Sequence, residues 1–149
     1  MKDVGQAIRK AYYDALLNQV TEPGAPLVKV PIVDEKLELA ITDADLYMLI
    51  GAQNETPADN KTKWVSEVEL TITIVNRRKA TNSKTVVENI ADQMLTILFP
   101  VKNSNTLVLS SPFSLTYARV VTPIQYAFER TNDGWKIIKE LTFKNRITQ

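Results

Sequence analysis

The clearest hydrophobic pattern in the chain is the segment SEVELTITIVNRR, residues 66–78, in which apolar and polar residues alternate. Successive side chains of a strand point to opposite faces, so the pattern predicts a long strand from about Lys63 to Arg78. The face predicted to be buried carries Ser66, Val68, Leu70, Ile72 and Ile74, with Trp64 joining it by parity. The opposite, polar face carries Glu67, Glu69, Thr71 and Thr73.

Two other segments repeat their apolar residues at helical spacing, which predicts helices over residues 3–19 and 83–99. Asp3 and Gln6 fit a capping box, and Pro100 stops the second helix, whose plausible N-caps are Asn82 and Ser83. The first apolar stripe comprises Val4, Ile8, Ala11, Tyr12, Ala15 and Leu16, and Arg9, Lys10 and Asp14 are predicted to face away from it. The second comprises Val86, Val87, Ile90, Ala91, Met94, Ile97 and Leu98.

The remaining segments predict further strands and turns. Prolines and a glycine at 23–26 indicate a turn, and short extended pieces follow to residue 41. Leu46–Ala52 fits a buried strand, and the polar residues 51–63 are predicted to form an exposed hairpin loop. Two alternating runs, 118–128 and 135–147, are joined by TNDG at 131–134, which is typical of a hairpin with Gly134 at the turn.

This order of elements predicts an α+β fold. A mainly antiparallel sheet packed against two helices, with a C-terminal β-hairpin, buries every apolar stripe. The 149 residues show no internal repeat and no linker, so we expect one domain spanning residues 1–149.

Histidine and cysteine are both absent, which removes the usual nucleophile–base pairs and most transition-metal sites. The four glycines are far apart and form no phosphate-binding motif. Asp43 and Asp45 are too few ligands for a hard cation and fit a turn, while Asp34 and Glu35 are expected to be solvated loop charges. We therefore expect no enzyme and no catalytic, cofactor-binding or metal-binding residues.

The net charge of +1 gives no bulk attraction to nucleic acid, but the charges are unevenly distributed. Residues 1–50 hold 5 basic and 8 acidic side chains, whereas residues 101–149 hold 7 and 3. Chance explains this asymmetry, or two opposite patches meet between neighbouring subunits. The sequence shows no export signal and no apolar run long enough to cross a membrane.

The layout resembles a known family. IRKAYYDALLN, LYMLIGAQNET, WVSEVELTITIVNRR and TVVENIADQMLTIL follow one another in an order similar to that of the tail completion, or tail terminator, proteins of tailed bacteriophages. The resemblance covers residues 6–99 well and the C-terminal hairpin in outline. It matches least at residues 23–31 and in VKNSNTLVLSSPFSL, residues 101–115.

The resemblance implies a structural virion protein in the phage neck or tail, assembled in the host cytoplasm. Members of this family form homo-oligomeric rings, commonly hexameric and possibly dodecameric. The ring caps the tail tube and joins it to the portal-side connector, so its partners are other copies and these neighbouring proteins. DNA passes through the ring transiently and without sequence specificity, and neither a cofactor nor a membrane is involved.

These implications select two sets of candidate residues. Channel-lining or subunit-interface candidates are Glu67, Glu69, Thr71, Thr73, Arg77 and Arg78. Docking-loop candidates are Asn54, Glu55, Asp59, Asn60 and Lys61. Alternatives stay open: the polar face is plainly solvated, or the chain is a non-viral scaffold or adaptor domain, or it is a small enzyme that uses Asp, Glu, Lys or Tyr.

Overall fold

The computed structural model of the protein describes residues 3–36, 44–78, 83–131 and 134–149. The helices are α1 (Val4–Leu16) and α2 (Ser83–Leu98). The strands, in chain order, are β1 (Thr21–Glu22), β2 (Ala25–Lys29), β3 (Ile32–Asp34), β4 (Leu46–Pro57), β5 (Val65–Asn76), β6 (Ser114–Thr131) and β7 (Gly134–Thr148). The predicted N-cap Asn82 and the turn residues 132–133 lie outside the described residues, as do Asp43 and Lys79.

Five of these strands form one sheet, in the order β3-β4-β5-β7-β6. All neighbours in it are antiparallel except β3 and β4, which run parallel. The strands β1 and β2 form a separate antiparallel pair whose turn contains Gly24, at a φ of 77°. The predicted α+β fold is confirmed, although the parallel β3 makes the main sheet mixed.

Both helices pack on the same face of the five-stranded sheet and enclose the core. Helix α1 begins where predicted, because the Asp3 carboxylate accepts hydrogen bonds from the backbone N–H groups of Gly5 and Gln6. Tyr12 of α1 and Phe99 after α2 contact Phe143 of β7, with ring centroids 5.2 and 6.1 Å apart. The apolar stripes of the two helices and the apolar faces of the strands therefore form one continuous cluster.

The alternation predicted for β5 is confirmed at its centre, where the side chains of Val68, Leu70, Ile72 and Ile74 are fully buried. The prediction for Trp64 is wrong, because this side chain is 54% exposed. Trp64 precedes the first residue of the strand, Val65, so the alternation does not determine where its side chain points.

Arg9 corrects a second prediction, since its side chain is 1% exposed rather than turned to solvent. Its guanidinium contacts Asp34, also fully buried, at 2.7 Å, and donates further hydrogen bonds to the carbonyls of Ile50 (2.7 Å) and Gly51 (2.6 Å). Asp34 is therefore not a solvated loop charge. The two carbonyls lie where the β4–β5 register shifts, between Ile50 and Gln53, so Arg9 joins α1, β3 and this bulge.

Strand β4 is longer than predicted and the loop after it is shorter. Residues 51–57 were predicted to be loop, but Gln53 to Pro57 pair with Leu70 to Ser66 of β5. Main-chain pairing, rather than side-chain burial, extends this strand, because its polar side chains from Asn54 onward are exposed. The connection between β4 and β5 is therefore the short loop 58–64.

Candidate interaction surfaces

The sheet face that the helices leave uncovered, here called the open face, carries the polar row of β5. Glu67, Glu69, Thr71 and Thr73 are all half-buried on it, as the alternation predicted. Their directly paired residues on β7, which share the same face, are Arg146, Lys144, Thr142 and Glu140. The structure thus brings four of the predicted interface residues together in one row beside a row of partly basic side chains.

Glu67 lies at the centre of an ion-pair cluster on this face. Its carboxylate contacts Lys144 Nζ at 2.8 Å and Arg146 Nη1 at 3.6 Å, and it accepts a hydrogen bond from the Tyr117 hydroxyl at 3.2 Å. The hydrogen bond from Lys144 lowers the pKa of Glu67, and the same contact raises the pKa of Lys144. The two glutamates of β5 therefore do not form an isolated acidic strip, because cations of β7 stand opposite both.

The open face changes character along the strands. Thr71 and Thr142 exchange a hydroxyl hydrogen bond at 3.0 Å in its middle. Beyond Thr73 the face becomes apolar, where the paired residues Val75 and Ile138 are 2% and 9% exposed. Sequence reasoning missed this apolar end, although the unbroken run Ile74–Val75 departs from strict alternation and marks it.

Arg77 and Arg78 follow β5 and do not join the Glu67 cluster. The guanidinium of Arg77 stands 5.9 Å from the ring centroid of Tyr47, in a cation–π contact. Arg78 donates a hydrogen bond to Glu22 of β1 at 3.0 Å, and this contact lowers the pKa of Glu22. Arg78 therefore ties the β1–β2 pair to the end of the central strand.

Two of the docking-loop candidates shape the loop 58–64 themselves. The Asp59 carboxylate accepts the backbone N–H of Val65 at 2.9 Å, and the Asn60 side chain accepts that of Lys63 at 2.9 Å. Lys61 is exposed at the tip. The other two candidates, Asn54 and Glu55, lie on β4 instead, so the five residues do not form one loop.

Two exposed features were missed by sequence reasoning. The first is an apolar bulge on β2, formed by Pro26, Leu27 and Val28 and here called the knob. It protrudes because Glu22 pairs with Ala25, whereas the adjacent Thr21 pairs with Lys29. Leu27 is 94% exposed. The only sequence signal for the knob is an apolar pair beside prolines in a turn-rich segment.

The second feature is a groove of about 620 Å³. It lies between the loop that follows α2 and the first residues of β6. Its apolar lining residues are Phe99, Val101, Ala118 and Val120, and its cations are Lys102 and Arg119. No sequence pattern predicts it, because the two segments meet only through the position of α2 over the sheet.

Among the described residues, no group of three or more His, Cys, Asp or Glu side chains could hold a metal ion. No described helix combines the length and apolarity that a membrane crossing needs.

Comparison with known proteins gives a structural likeness without a sequence family. No protein-family model matches the chain, and no curated protein matches it. Among solved structures, the chain is similar to a chain of the virion of a native gene transfer agent (GTA) particle. The likeness has a TM-score of 0.70 at 19% sequence identity and covers 100% of both chains. The two chains therefore share a fold over their whole length.

Proposed function

We propose that this protein is a structural component of a virion, and that it forms a homo-oligomeric ring in the neck or tail of a phage-like particle. The observation that carries the proposal is the whole-chain fold likeness to a virion chain. The sequence resemblance to tail completion proteins supports the same role independently. In this role the ring joins the tail tube to the connector of the head, and DNA passes through it.

The exposed surfaces support an assembly role rather than a chemical one. Interactions that close a ring require two different surfaces on each copy, and the chain offers several distinct exposed features. The open face, with Glu67, Glu69, Thr71 and Thr73, is proposed to face the channel or a neighbouring subunit. The loop 58–64, with Lys61 at its tip, is proposed to dock on a neighbouring tail or connector protein.

The mixed charge of the open face fits passage of DNA. Lys144 and Arg146 engage Glu67, so these cations attract phosphate less strongly than unpaired ones would. A channel wall of this kind holds DNA weakly, which transient passage requires. We further propose that the protein assembles in the host cytoplasm, without a cofactor and without a catalytic step.

The test is deletion of the gene from the virus that encodes this protein, followed by electron microscopy of the particles. The expected result is DNA-filled heads and free tails that are not joined. Plasmid-borne wild-type protein is the control and should restore joined particles. Normal, infectious particles without the protein would refute the proposed role.

A further inference from the structure

We propose that the knob of one copy, Pro26–Val28, inserts into the groove beside β6 of the next copy, and that this contact builds the ring. This inference rests on the proposed function and names the subunit contact that the ring would use. Four observations carry it: the exposure of the knob, the lining of the groove, the distance between them and the distribution of charge.

The knob is an apolar surface that its own chain leaves uncovered. Leu27 is 94% exposed and Val28 is 47% exposed, and none of the three knob residues carries a charge. A protruding leucine contributes to affinity when a partner removes it from water. The knob therefore has the character of an interface anchor.

The groove offers a matching site. Its volume of about 620 Å³ is large enough to admit several side chains, and apolar residues of both bordering segments line it. Val101 on its rim is 65% exposed. Strand β6 is the last strand of the sheet, so its outer edge pairs with no other strand among the described residues and offers main-chain groups to an incoming segment.

The knob cannot reach the groove of its own chain. The β1–β2 pair is held at its base by Arg78, which follows β5, and by Gln93 of α2, whose side chain accepts the backbone N–H of Thr21 at 2.9 Å. The groove lies beside residues 116–120, which the sheet register places level with residues 65–70 of β5. At about 3.3 Å per residue, the two sites lie roughly 20–30 Å apart.

Two different, distant surfaces that fit each other produce a head-to-tail contact, and such contacts close into rings when the rotation allows. The charge distribution favours the same pairing. The knob belongs to residues 1–50, with net charge −3, and the groove belongs to residues 101–149, with net charge +4. Opposite charges on the two surfaces steer different copies together and disfavour knob-to-knob or groove-to-groove contacts.

The absence of native cysteine permits a direct test by disulfide cross-linking. The variant Leu27→Cys/Ala118→Cys places one thiol on the knob and one in the groove, and a disulfide forms only when the two Cα atoms come within about 7 Å. The matched control is Leu27→Cys/Val108→Cys, because Val108 is also apolar and 81% exposed but lies outside the groove. The groove pair should give a ladder of multimers on a non-reducing gel, and the control pair should give none beyond random collisions.

A second variant measures the contribution of the contact to assembly. Leu27→Asp should leave the thermal unfolding temperature unchanged, because the side chain is exposed, and should raise the dissociation constant of self-association at least tenfold. Val108→Asp is its control and should change neither quantity. Unchanged association of Leu27→Asp, or equal cross-linking of the two cysteine pairs, would overturn the inference.

The outcomes separate this inference from the proposed function. Rings that form without groove-specific cross-links would refute the knob contact and leave the ring intact. If the protein stays monomeric at every concentration, the contact is also refuted as a basis for self-assembly. The particles made without the gene then decide the virion role on their own.

Discussion

Removal of the Arg9 guanidinium should be among the most destabilising single changes in the protein. Arg9→Met leaves the Asp34 carboxylate buried beside an apolar side chain, and it removes hydrogen bonds from the carbonyls of Ile50 and Gly51. Breaking one partner of a buried ion pair costs about 3–5 kcal/mol. Since the free energy of unfolding of a natural domain is about 5–15 kcal/mol, the variant should unfold at a much lower denaturant concentration.

The measurement is urea unfolding followed by circular dichroism, with Lys10→Met as the matched control on the same helix. Lys10 forms an exposed ion pair with Asp14 at 2.9 Å, and such a pair contributes only about 0.3–0.5 kcal/mol. The two variants remove a similar charge from adjacent positions. The difference between their unfolding free energies therefore isolates the effect of burial.

A double variant tests the physical reason for the loss. In Arg9→Met/Asp34→Leu the uncompensated buried charge is gone, so part of the stability should return, with a favourable coupling of about 1–3 kcal/mol. If Arg9→Met costs no more than Lys10→Met, or if the double variant shows no coupling, the buried pair does not hold α1 against the sheet.

Two further predictions concern polar contacts that join distant parts of the chain. Burial raises the pKa of Tyr12, whose hydroxyl donates to the Asn145 side chain at 2.8 Å, so Tyr12→Phe should cost about 1–2 kcal/mol in urea unfolding, while Tyr13→Phe, at a half-buried position, should cost clearly less. Equal losses would refute the role of this hydrogen bond. The lowered pKa of Glu67 means that its contact with Lys144 is fully formed above the unfolded glutamate pKa of about 4.3 and is lost as the pH falls through the folded pKa. An NMR titration should place the Glu67 midpoint below that value and move it upward in Lys144→Met; an unmoved midpoint would contradict the assignment.

The sequence predicted the elements whose burial is one-sided. The alternation in β5 and the stripes of α1 and α2 are visible because one layer of helices covers one face of a sheet, so burial and periodicity coincide. The far half of β4 was missed because main-chain pairing holds it, and its side chains carry no pattern. Its polar composition resembled a loop for that reason.

Buried polar side chains were the other failure, and their partners explain it. Arg9 was expected to face solvent because it is charged, yet Gly5, Arg9, Tyr12 and Leu16 are spaced as one helical stripe. Its partner Asp34 stands 25 positions away, and the partner of Tyr12 stands 133 positions away. Periodicity shows which face is buried, but it does not show which distant residue neutralises a charge there.

The candidate surfaces divide in the same way. The row of Glu67, Glu69, Thr71 and Thr73 was predictable, because a strand places alternate residues on one face. Its cation partners were not, since they depend on the register between β5 and β7. The knob and the groove arise from a register shift and from the placement of α2, and local sequence encodes neither in a recognisable way.

The central claim is that this protein assembles into a ring that joins parts of a virion. The most direct measurement is light scattering with negative-stain imaging of the purified protein, alone and after mixing with tail and connector proteins of the same particle. The account predicts closed rings of a fixed number of copies, formed alone or on these partners. A protein that stays monomeric in every mixture and binds neither partner would contradict it.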